Sequence, residues 1–253
     1  MKPSPIVHLR QLAIGDGAPK VCAPLTAADE PALLREADTA LAAGCDLVEW
    51  RADCFVGADT PAVALPVLQA LRERLGETPL LFTLRTQAEG GNSALSPGAY
   101  AALCIAVAQS SFADAVDVEF SAGEAAVAET LAAAHSCGVP VVLSSHNFAA
   151  TPSPDELAQK LAAMYAAGGD IVKLATMPQR FEDVLALMAA TCAFHRQALC
   201  PVITMSMGEM GRISRISGGL TGSAVTFGVT GSASAPGQLA IDTLRQLLAA
   251  LEV

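Results

Sequence analysis

Eight short apolar runs recur along this chain, and their spacing constrains its fold more than any other feature of the sequence. Consecutive runs begin roughly 25–35 residues apart, which is about the length of one strand–helix unit. Several of them are apolar at consecutive positions, as expected for parallel strands that are buried on both faces. The runs occupy residues 21–25, 46–51, 80–85, 115–120, 139–144, 170–175, 201–205 and 224–228.

The segments between these runs carry the end signals of helices. Three of them begin with a hydroxyl residue followed by proline, a pattern that caps the first helical turn, at Thr60, Ser96 and Ser153. Ser121 with Glu124 has the spacing of a capping box. Eight strands that alternate with helices predict a (β/α)8 TIM barrel. Since no linker rich in Pro, Gly or Ser divides the chain, we expect one catalytic domain over residues 1–253.

A doubly wound open sheet is the main alternative for such a pattern. We favour the barrel because eight parallel strands are the number that closes into a TIM barrel, and because no Gly-x-Gly-x-x-Gly motif follows the first run. Residues 6–14 precede the first run, and we expect them to form a β-hairpin that closes the barrel floor.

The composition argues against several classes of protein. The chain is 52% hydrophobic and 16% charged, which excludes bulk disorder. Its net charge of −10 argues against nucleic acid or an anionic membrane as a partner. The longest apolar run, residues 100–108, is well short of the roughly 18 residues of a membrane span.

The cysteines and histidines indicate a reducing compartment and no metal. Seven cysteines are an odd number at wide spacing, with no Cys-x-x-Cys pair, and we interpret them as reduced thiols of a cytoplasmic protein. No long apolar signal sequence opens the chain. Neither His-x-His nor Glu-x-x-His occurs, so we expect no metal site.

Lys173 is the most informative single residue. The chain has four lysines, and only this one is flanked by apolar residues within a predicted strand. Burial of an unpaired ammonium costs several kcal/mol, so such a lysine is either an amine nucleophile for a Schiff base or a partner of a barrel carboxylate. The residue context leaves both open.

His146 and three arginines also lie where a barrel carries its chemistry, at the carboxyl ends of the strands. His146 follows the fifth run, immediately before a loop, where it is either a general base or a structural hydrogen-bonding residue. Arg51, Arg85 and Arg215 converge on the same mouth and suit an anionic, hydroxyl-rich ligand. The alternative is ion pairing with the acidic residues nearby, which are Glu49, Asp53, Glu89 and Glu119.

A series of short motifs adds a resemblance to a known family. They are Gly17-Ala18-Pro19-Lys20, Glu49-Trp50-Arg51-x-Asp53, Phe82-Thr83-Leu84-Arg85, Glu89-Gly90-Gly91, Ser145-His146-Asn147-Phe148, Val172-Lys173-Leu174-Ala175, Ile203-Thr204-Met205-Ser206-Met207, Gly211-x-Ile213-Ser214-Arg215, Gly222-Ser223-x-x-Thr226-Phe227 and Ala233-Ser234-Ala235-Pro236-Gly237-Gln238. In this order and spacing, the chain resembles the type I 3-dehydroquinate dehydratases of the shikimate pathway, which leads to chorismate and the aromatic amino acids.

The resemblance implies a catalytic set and a mechanism. Lys173 would form a Schiff base with the ketone of 3-dehydroquinate, His146 would act as general base and acid, and Glu89 would position the histidine. The product would be 3-dehydroshikimate. The family implies no metal or organic cofactor, and the protein is expected to be a homodimer.

The resemblance also implies a substrate-binding set. Arg215 would anchor the substrate carboxylate. Residues 232–238 would form a lid, which Ser234 and Gln238 close over the substrate. The ring hydroxyls and the ring itself would be held by Glu49, Arg51, Arg85, Met207 and Phe227. Pro24 departs from the family pattern, because some members carry a serine there that faces the substrate.

Two other functions fit parts of this pattern. A class I aldolase also uses a barrel lysine and an imine, but an aldolase for sugar phosphates needs a phosphate site rather than a carboxylate anchor. A non-catalytic barrel that binds a carboxylate metabolite would not need the lysine, histidine and glutamate together.

Overall fold

Parallel strands that follow one another in the sequence are also neighbours in space. The computed structural model describes residues 5–231 and 234–251. A hairpin of β1 (Val7–Leu9) and β2 (Leu12–Ile14) precedes the sheet. The sheet strands are β3 (Lys20–Leu25), β4 (Leu47–Arg51), β5 (Leu80–Thr83), β6 (Ala115–Glu119), β7 (Val141–Asn147), β8 (Ile171–Thr176), β9 (Val202–Ser206), β10 (Val225–Val229) and the short β11 (Leu239–Ala240).

The sheet closes into a barrel. The order β10-β3-β4-β5-β6-β7-β8-β9 is parallel throughout, and a bridge between Val202 and Ser223 joins its two ends. There the N–H of Ala224 donates to the carbonyl oxygen of Val202 at 2.8 Å. The predicted (β/α)8 TIM barrel is confirmed, and the open sheet is excluded because its edge strands would not be joined.

Helices follow the strands on the outside of the barrel. They are α1 (Glu30–Ala42), α2 (Pro61–Leu75), α3 (Pro97–Gln109), α4 (Glu124–Ser136), α5 (Pro154–Ala166), α6 (Phe181–Gln197), the short α7 (Arg212–Ile216) and α8 (Gly218–Thr221), and α9 (Ile241–Ala250). The side chains of Ser96 and Ser153 cap α3 and α5, as predicted. The capping box at Ser121 is wrong, because α4 begins after Gly123 without a side-chain cap. None of the helices in the described ranges is long and apolar enough to cross a membrane.

Several strand boundaries differ from the prediction for identifiable reasons. Asp46 and Asp170 precede their strands, because each carboxylate accepts a backbone N–H near the start of the preceding strand, from Val21 and Val141. The strand that holds His146 extends further than expected, to Asn147, because it keeps its pairing with β8. His146 therefore lies within a strand and is positioned by the sheet.

The N-terminal hairpin covers the floor of the barrel, as predicted. Leu9 and Ile14 are buried and pack in one cluster with side chains from the amino ends of the strands, among them Leu47 and Ile171. Between β1 and β2, Arg10 reaches the carboxylate of Asp114 at 2.8 Å and fixes the hairpin to the loop before β6. With the floor closed, the opposite end of the barrel is left for chemistry.

Candidate active site

A cavity lies at the carboxyl ends of the strands. All of the site residues predicted from the sequence line it, apart from Arg215. Its wall consists of Glu49, Arg51, Arg85, Glu89, Gly90, His146, Phe148, Lys173, Ala175, Met205, Met207, Phe227, Ser234, Ala235 and Gln238. Pro24, which departs from the family pattern, is buried opposite Glu49 in the register of β3 and β4.

Lys173 is buried in the barrel and paired with two carboxylates. Its Nζ lies 3.2 Å from Oε1 of Glu49 and 3.1 Å from Oδ2 of Asp117. The ring face of Phe227 lies 4.6 Å from the same nitrogen, where an aromatic ring favours a cation. Lys173 is therefore paired with barrel carboxylates, which was one of the two alternatives from the sequence. Its side chain also lines the cavity.

Asp117 is the site residue that the sequence prediction missed. It is fully buried on β6 and accepts hydrogen bonds from Arg85 Nη2 at 2.8 Å and from Ser144 Oγ at 2.6 Å. Burial disfavours its charge, but Arg85 and Lys173 outweigh burial and hold the pKa of Asp117 well below its usual range. The sequence signal that could have identified it is a carboxylate in the middle of an otherwise apolar strand.

Arg85 is surrounded by acidic groups. Its Nη1 lies 3.0 Å from Glu119 Oε1, in addition to the Asp117 contact. Burial disfavours the guanidinium charge, yet Asp117 and Glu119 outweigh it and raise the pKa of Arg85. The guanidinium is thus a fixed cation in the barrel wall.

Arg51 is also paired, and its partner joins two loops. Its Nε and Nη2 bond the two oxygens of Asp53 at 2.8 and 2.9 Å. Asp53 accepts further hydrogen bonds from the backbone N–H groups of Arg85 and Asn92. The ion-pairing alternative from the sequence is therefore realised for both Arg51 and Arg85.

His146 and Glu89 form a hydrogen-bonded pair at the edge of the cavity. Nδ1 of His146 lies 2.8 Å from Oε2 of Glu89, whose other oxygen accepts from Ser121 Oγ at 2.5 Å. Burial, together with the charges of Arg85 and Lys173, lowers the pKa of His146 well below its usual value. The imidazole is therefore neutral at neutral pH, and a proton on Nδ1 leaves Nε2 as a base.

Arg215 differs from the other two arginines because no acidic group among the described residues pairs with it. The side chain is buried, and its Nη2 donates to Pro236 O at 2.9 Å. Its Nε and Nη1 have no hydrogen-bond partner among the described residues. Burial lowers the pKa of Arg215 to about 10. Arg215 does not line the cavity itself, but it is hydrogen-bonded to the segment that covers the cavity.

The segment over the cavity is held by hydrogen bonds to its backbone, from a side chain and from the chain at Gly208. Gln238 Oε1 accepts from the N–H of Ser234 at 2.8 Å, and the N–H of Gly208 donates to Pro236 O at 3.1 Å. Gly237 has a positive φ and lies so close to Gly208 that a side chain would collide with its backbone. Residues 232 and 233 of the predicted lid lie outside the described residues.

A second opening reaches the same histidine from outside the barrel. A groove of about 850 Å³ is lined by Glu89, Ser121, His146 and Phe148, with residues of α5 on its other side. Glu89 and His146 therefore separate the inner cavity from this groove. Within residues 5–231 and 234–251, no group of three or more His, Cys, Asp and Glu side chains is arranged to hold a metal ion.

The chain is similar to known proteins over nearly its whole length. A family model described as type I 3-dehydroquinase matches residues 21–253. A 3-dehydroquinate dehydratase from Lactiplantibacillus plantarum is 42% identical over 249 residues, which is 98% of this chain and 99% of that protein. One from Escherichia coli O157:H7 is 43% identical over 246 residues, which is 97% of this chain and 98% of that protein.

Solved structures give the same result. The 3-dehydroquinate dehydratase of Geobacillus kaustophilus superimposes with a TM-score of 0.95 at 40% identity, over 99% of this chain and 98% of that one. The type I enzyme of Clostridium difficile, solved with covalently modified comenic acid, gives a TM-score of 0.94 at 37% identity, over 98% of each chain.

Proposed function

The chain belongs to the type I 3-dehydroquinase family, and we propose that it dehydrates 3-dehydroquinate to 3-dehydroshikimate through an imine on Lys173. The observation that carries this proposal is that Lys173 and His146 face one cavity. An amine nucleophile beside a neutral imidazole is the pair that an imine-based elimination needs.

The imine makes the substrate acidic. The Lys173 amine attacks the ketone carbon, and the oxygen of the resulting carbinolamine leaves as water while a C=N bond forms. The protonated imine is a cationic electron sink for the carbanion that develops at the neighbouring carbon. Without it, the α-proton of a ketone is too weakly acidic for a histidine to remove quickly.

His146 then moves the proton. Nε2 takes a proton from the carbon next to the imine, and the electrons of that C–H bond form an enamine. The enamine expels the β-hydroxyl group, which leaves as water with the proton that His146 returns. Water hydrolyses the conjugated imine, and the Lys173 amine is free again. Glu89 holds the ring in the orientation that both transfers require.

Arg215 supplies the site for the substrate carboxylate. Its guanidinium is buried, and Nε and Nη1 have no hydrogen-bond partner among the described residues, so an anionic ligand would form strong charge-assisted hydrogen bonds with it. Ser234 and Gln238 would close over that carboxylate. We assign the ring hydroxyls and ring packing to Glu49, Arg51, Arg85, Met207 and Phe227, all of which line the cavity.

A class I aldolase remains the second candidate by chemistry. It shares the imine lysine, but its sugar-phosphate substrates would need a phosphate site, and Arg215 with the lid suits a carboxylate better. We further propose that the protein acts in the cytoplasm as a homodimer. All seven cysteines are free, as in a reducing compartment, and sedimentation would test the dimer.

The test is direct. The purified protein is mixed with 3-dehydroquinate, and the ultraviolet absorbance of the conjugated enone is followed, with a phosphorylated ketose as the comparison substrate. We expect enone formation from dehydroquinate and no cleavage of the phosphorylated sugar. Cleavage of the sugar phosphate, or no enone from dehydroquinate, would contradict the proposed function.

A further inference from the structure

Asp117 contacts the reacting nitrogen but has no task in the mechanism above. Its two carboxylate oxygens have different partners. Oδ1 is anchored by Arg85 at 2.8 Å and by Ser144 at 2.6 Å. Oδ2 lies 3.1 Å from Lys173 Nζ and has no other donor among the described residues. One oxygen is therefore fixed to the barrel wall, and the other is directed at the lysine.

The charge on Asp117 does not change during a reaction at neutral pH. Burial opposes ionisation, but the charges of Arg85 and Lys173 keep the pKa of Asp117 well below its usual range. The carboxylate is therefore unsuited to accept a proton. It is suited to accept a hydrogen bond and to stabilise a positive charge placed at the lysine nitrogen.

The other groups around Lys173 Nζ are engaged differently. The titratable and charged side chains that surround it are Cys22 on β3, Glu49 on β4, Arg85 after β5, Asp117 on β6 and His146 on β7. Glu49 Oε1 contacts Lys173, and the same oxygen also accepts a hydrogen bond from Thr83 Oγ1 at 3.0 Å. Burial raises the pKa of the Cys22 thiol, which stays neutral. Asp117 Oδ2 is thus the acceptor dedicated to this nitrogen.

Imine formation leaves one N–H on the nitrogen. The amine loses two hydrogens to the departing water when C=N forms, and protonation restores one of them with a positive charge. The electron sink works only while this proton stays. A dedicated anionic acceptor at about 3 Å favours the protonated form over the neutral one.

On these grounds, and resting on the proposed function, we propose that Asp117 is a further catalytic residue, which accepts the hydrogen bond of the protonated Lys173 imine and keeps that nitrogen protonated. The electron pair from the substrate C–H bond then has a cationic acceptor throughout the elimination. The ring of Phe227 at 4.6 Å supports the same charge from its other side.

The test is the pH dependence of the Asp117→Asn variant with 3-dehydroquinate. The amide matches the carboxylate in shape but removes its charge. We expect kcat at neutral pH to fall by about 10²–10³-fold, the scale for loss of one group that stabilises developing charge. We also expect the ratio of the variant's kcat to that of the unmodified protein to rise as the pH is lowered, because solution protons then restore the charged imine. A purely structural defect would give no such recovery.

Two control variants separate charge from packing. Ser144→Ala removes a donor to Asp117 but keeps the carboxylate, so its pH profile should keep the shape of the unmodified protein. Asp114→Asn, at the barrel floor, should leave both kcat and its pH profile unchanged. If acid recovery occurs in Glu49→Gln and not in Asp117→Asn, or if Asp117→Asn is as active as the unmodified protein, the assignment to Asp117 is wrong.

A measurement on the unmodified protein is independent of how the variant folds. The protein is labelled with ε-¹⁵N-lysine, of which the chain has four, and the imine nitrogen is observed after addition of 3-dehydroquinate. We expect the shift of a protonated imine at every pH at which the protein stays folded. An imine that loses its proton near neutral pH overturns the Asp117 proposal alone, whereas the absence of any imine signal overturns the proposed function.

Discussion

His146 places two donors on one oxygen of Glu89. Its Nδ1 lies 2.8 Å from Glu89 Oε2, and its backbone N–H donates to the same atom at 3.0 Å. The imidazole is therefore fixed relative to its own backbone, and Nε2 is the ring nitrogen left for the cavity. This arrangement holds only while Glu89 is ionised and accepts a hydrogen bond from Nδ1–H.

The first prediction concerns the pH dependence of this pair. Burial raises the pKa of Glu89 to about 7, although Ser121 and Arg85 oppose the rise. Below that pH, a protonated Glu89 donates to Nδ1, which moves the ring proton to Nε2 and blocks the base. We expect kcat/KM to fall as the pH drops through about 7. In Glu89→Gln this acid limb of the pH profile should vanish, and the overall rate should be lower.

The control is His135→Ala, a change at an exposed histidine, which should keep the acid limb. A limb that persists in Glu89→Gln would assign it to another group.

His146→Ala should separate proton transfer from imine chemistry. We expect kcat to fall by about 10²–10⁴-fold, the usual contribution of a general acid–base group. Imine formation on Lys173 should persist, more slowly if the histidine assists carbinolamine collapse. Rapid-quench assays with borohydride measure both quantities on the same sample. Near-normal turnover in this variant would mean that another group is the base.

Arg215 should contribute to binding at a cost in stability. A buried guanidinium without a carboxylate partner is unfavourable in the free protein, so Arg215→Met should raise the free energy of unfolding by about 1–3 kcal/mol. The same change should raise KM for 3-dehydroquinate strongly, and Gln238→Ala should raise it less. Urea unfolding and steady-state kinetics test the two effects. Arg180→Met is the matched control, because Arg180 is largely exposed and its unfolding free energy should change by at most about 0.5 kcal/mol. A less stable Arg215→Met variant with unchanged KM would contradict this account.

The floor of the barrel should be a stability determinant without a catalytic role. Ile14 is fully buried beneath the strands, so Ile14→Ala should lower the free energy of unfolding by about 2–5 kcal/mol. In the folded fraction, kcat should be unchanged because the hairpin lies at the opposite end from Lys173. Ile6→Ala, at an exposed position of the same segment, is the control and should have little effect. Equal losses in the two variants would mean that the hairpin does not pack against the barrel.

The fold could be predicted because its signals are local. Runs of apolar residues mark the strands, and Ser96 and Ser153 mark helix starts, so neither requires knowledge of distant contacts. Strand ends depend on tertiary pairing. The chain extends β7 through His146 only because β8 lies beside it, and this pairing is not visible in the local sequence.

The sequence predicts most of the residues that belong to the site, but not which of their side chains contact each other. Lys173 is conspicuous as a lysine in an apolar strand, yet its partners Glu49 and Asp117 are 124 and 56 residues away. Arg85 and Arg215 each lie near the carboxyl end of a strand, but the barrel surrounds Arg85 with carboxylates, whereas Arg215 has none as a partner in the part of the chain that the structure describes. Such differences arise from tertiary structure alone.

The central claim is that Lys173 carries the substrate as an imine. The most direct measurement is mass spectrometry of peptides after borohydride reduction in the presence of 3-dehydroquinate. We predict one stable adduct, on the peptide that contains Lys173, and its loss together with turnover in a folded Lys173→Ala variant. An adduct on Lys20 or Lys160, or full turnover in Lys173→Ala, would contradict the account.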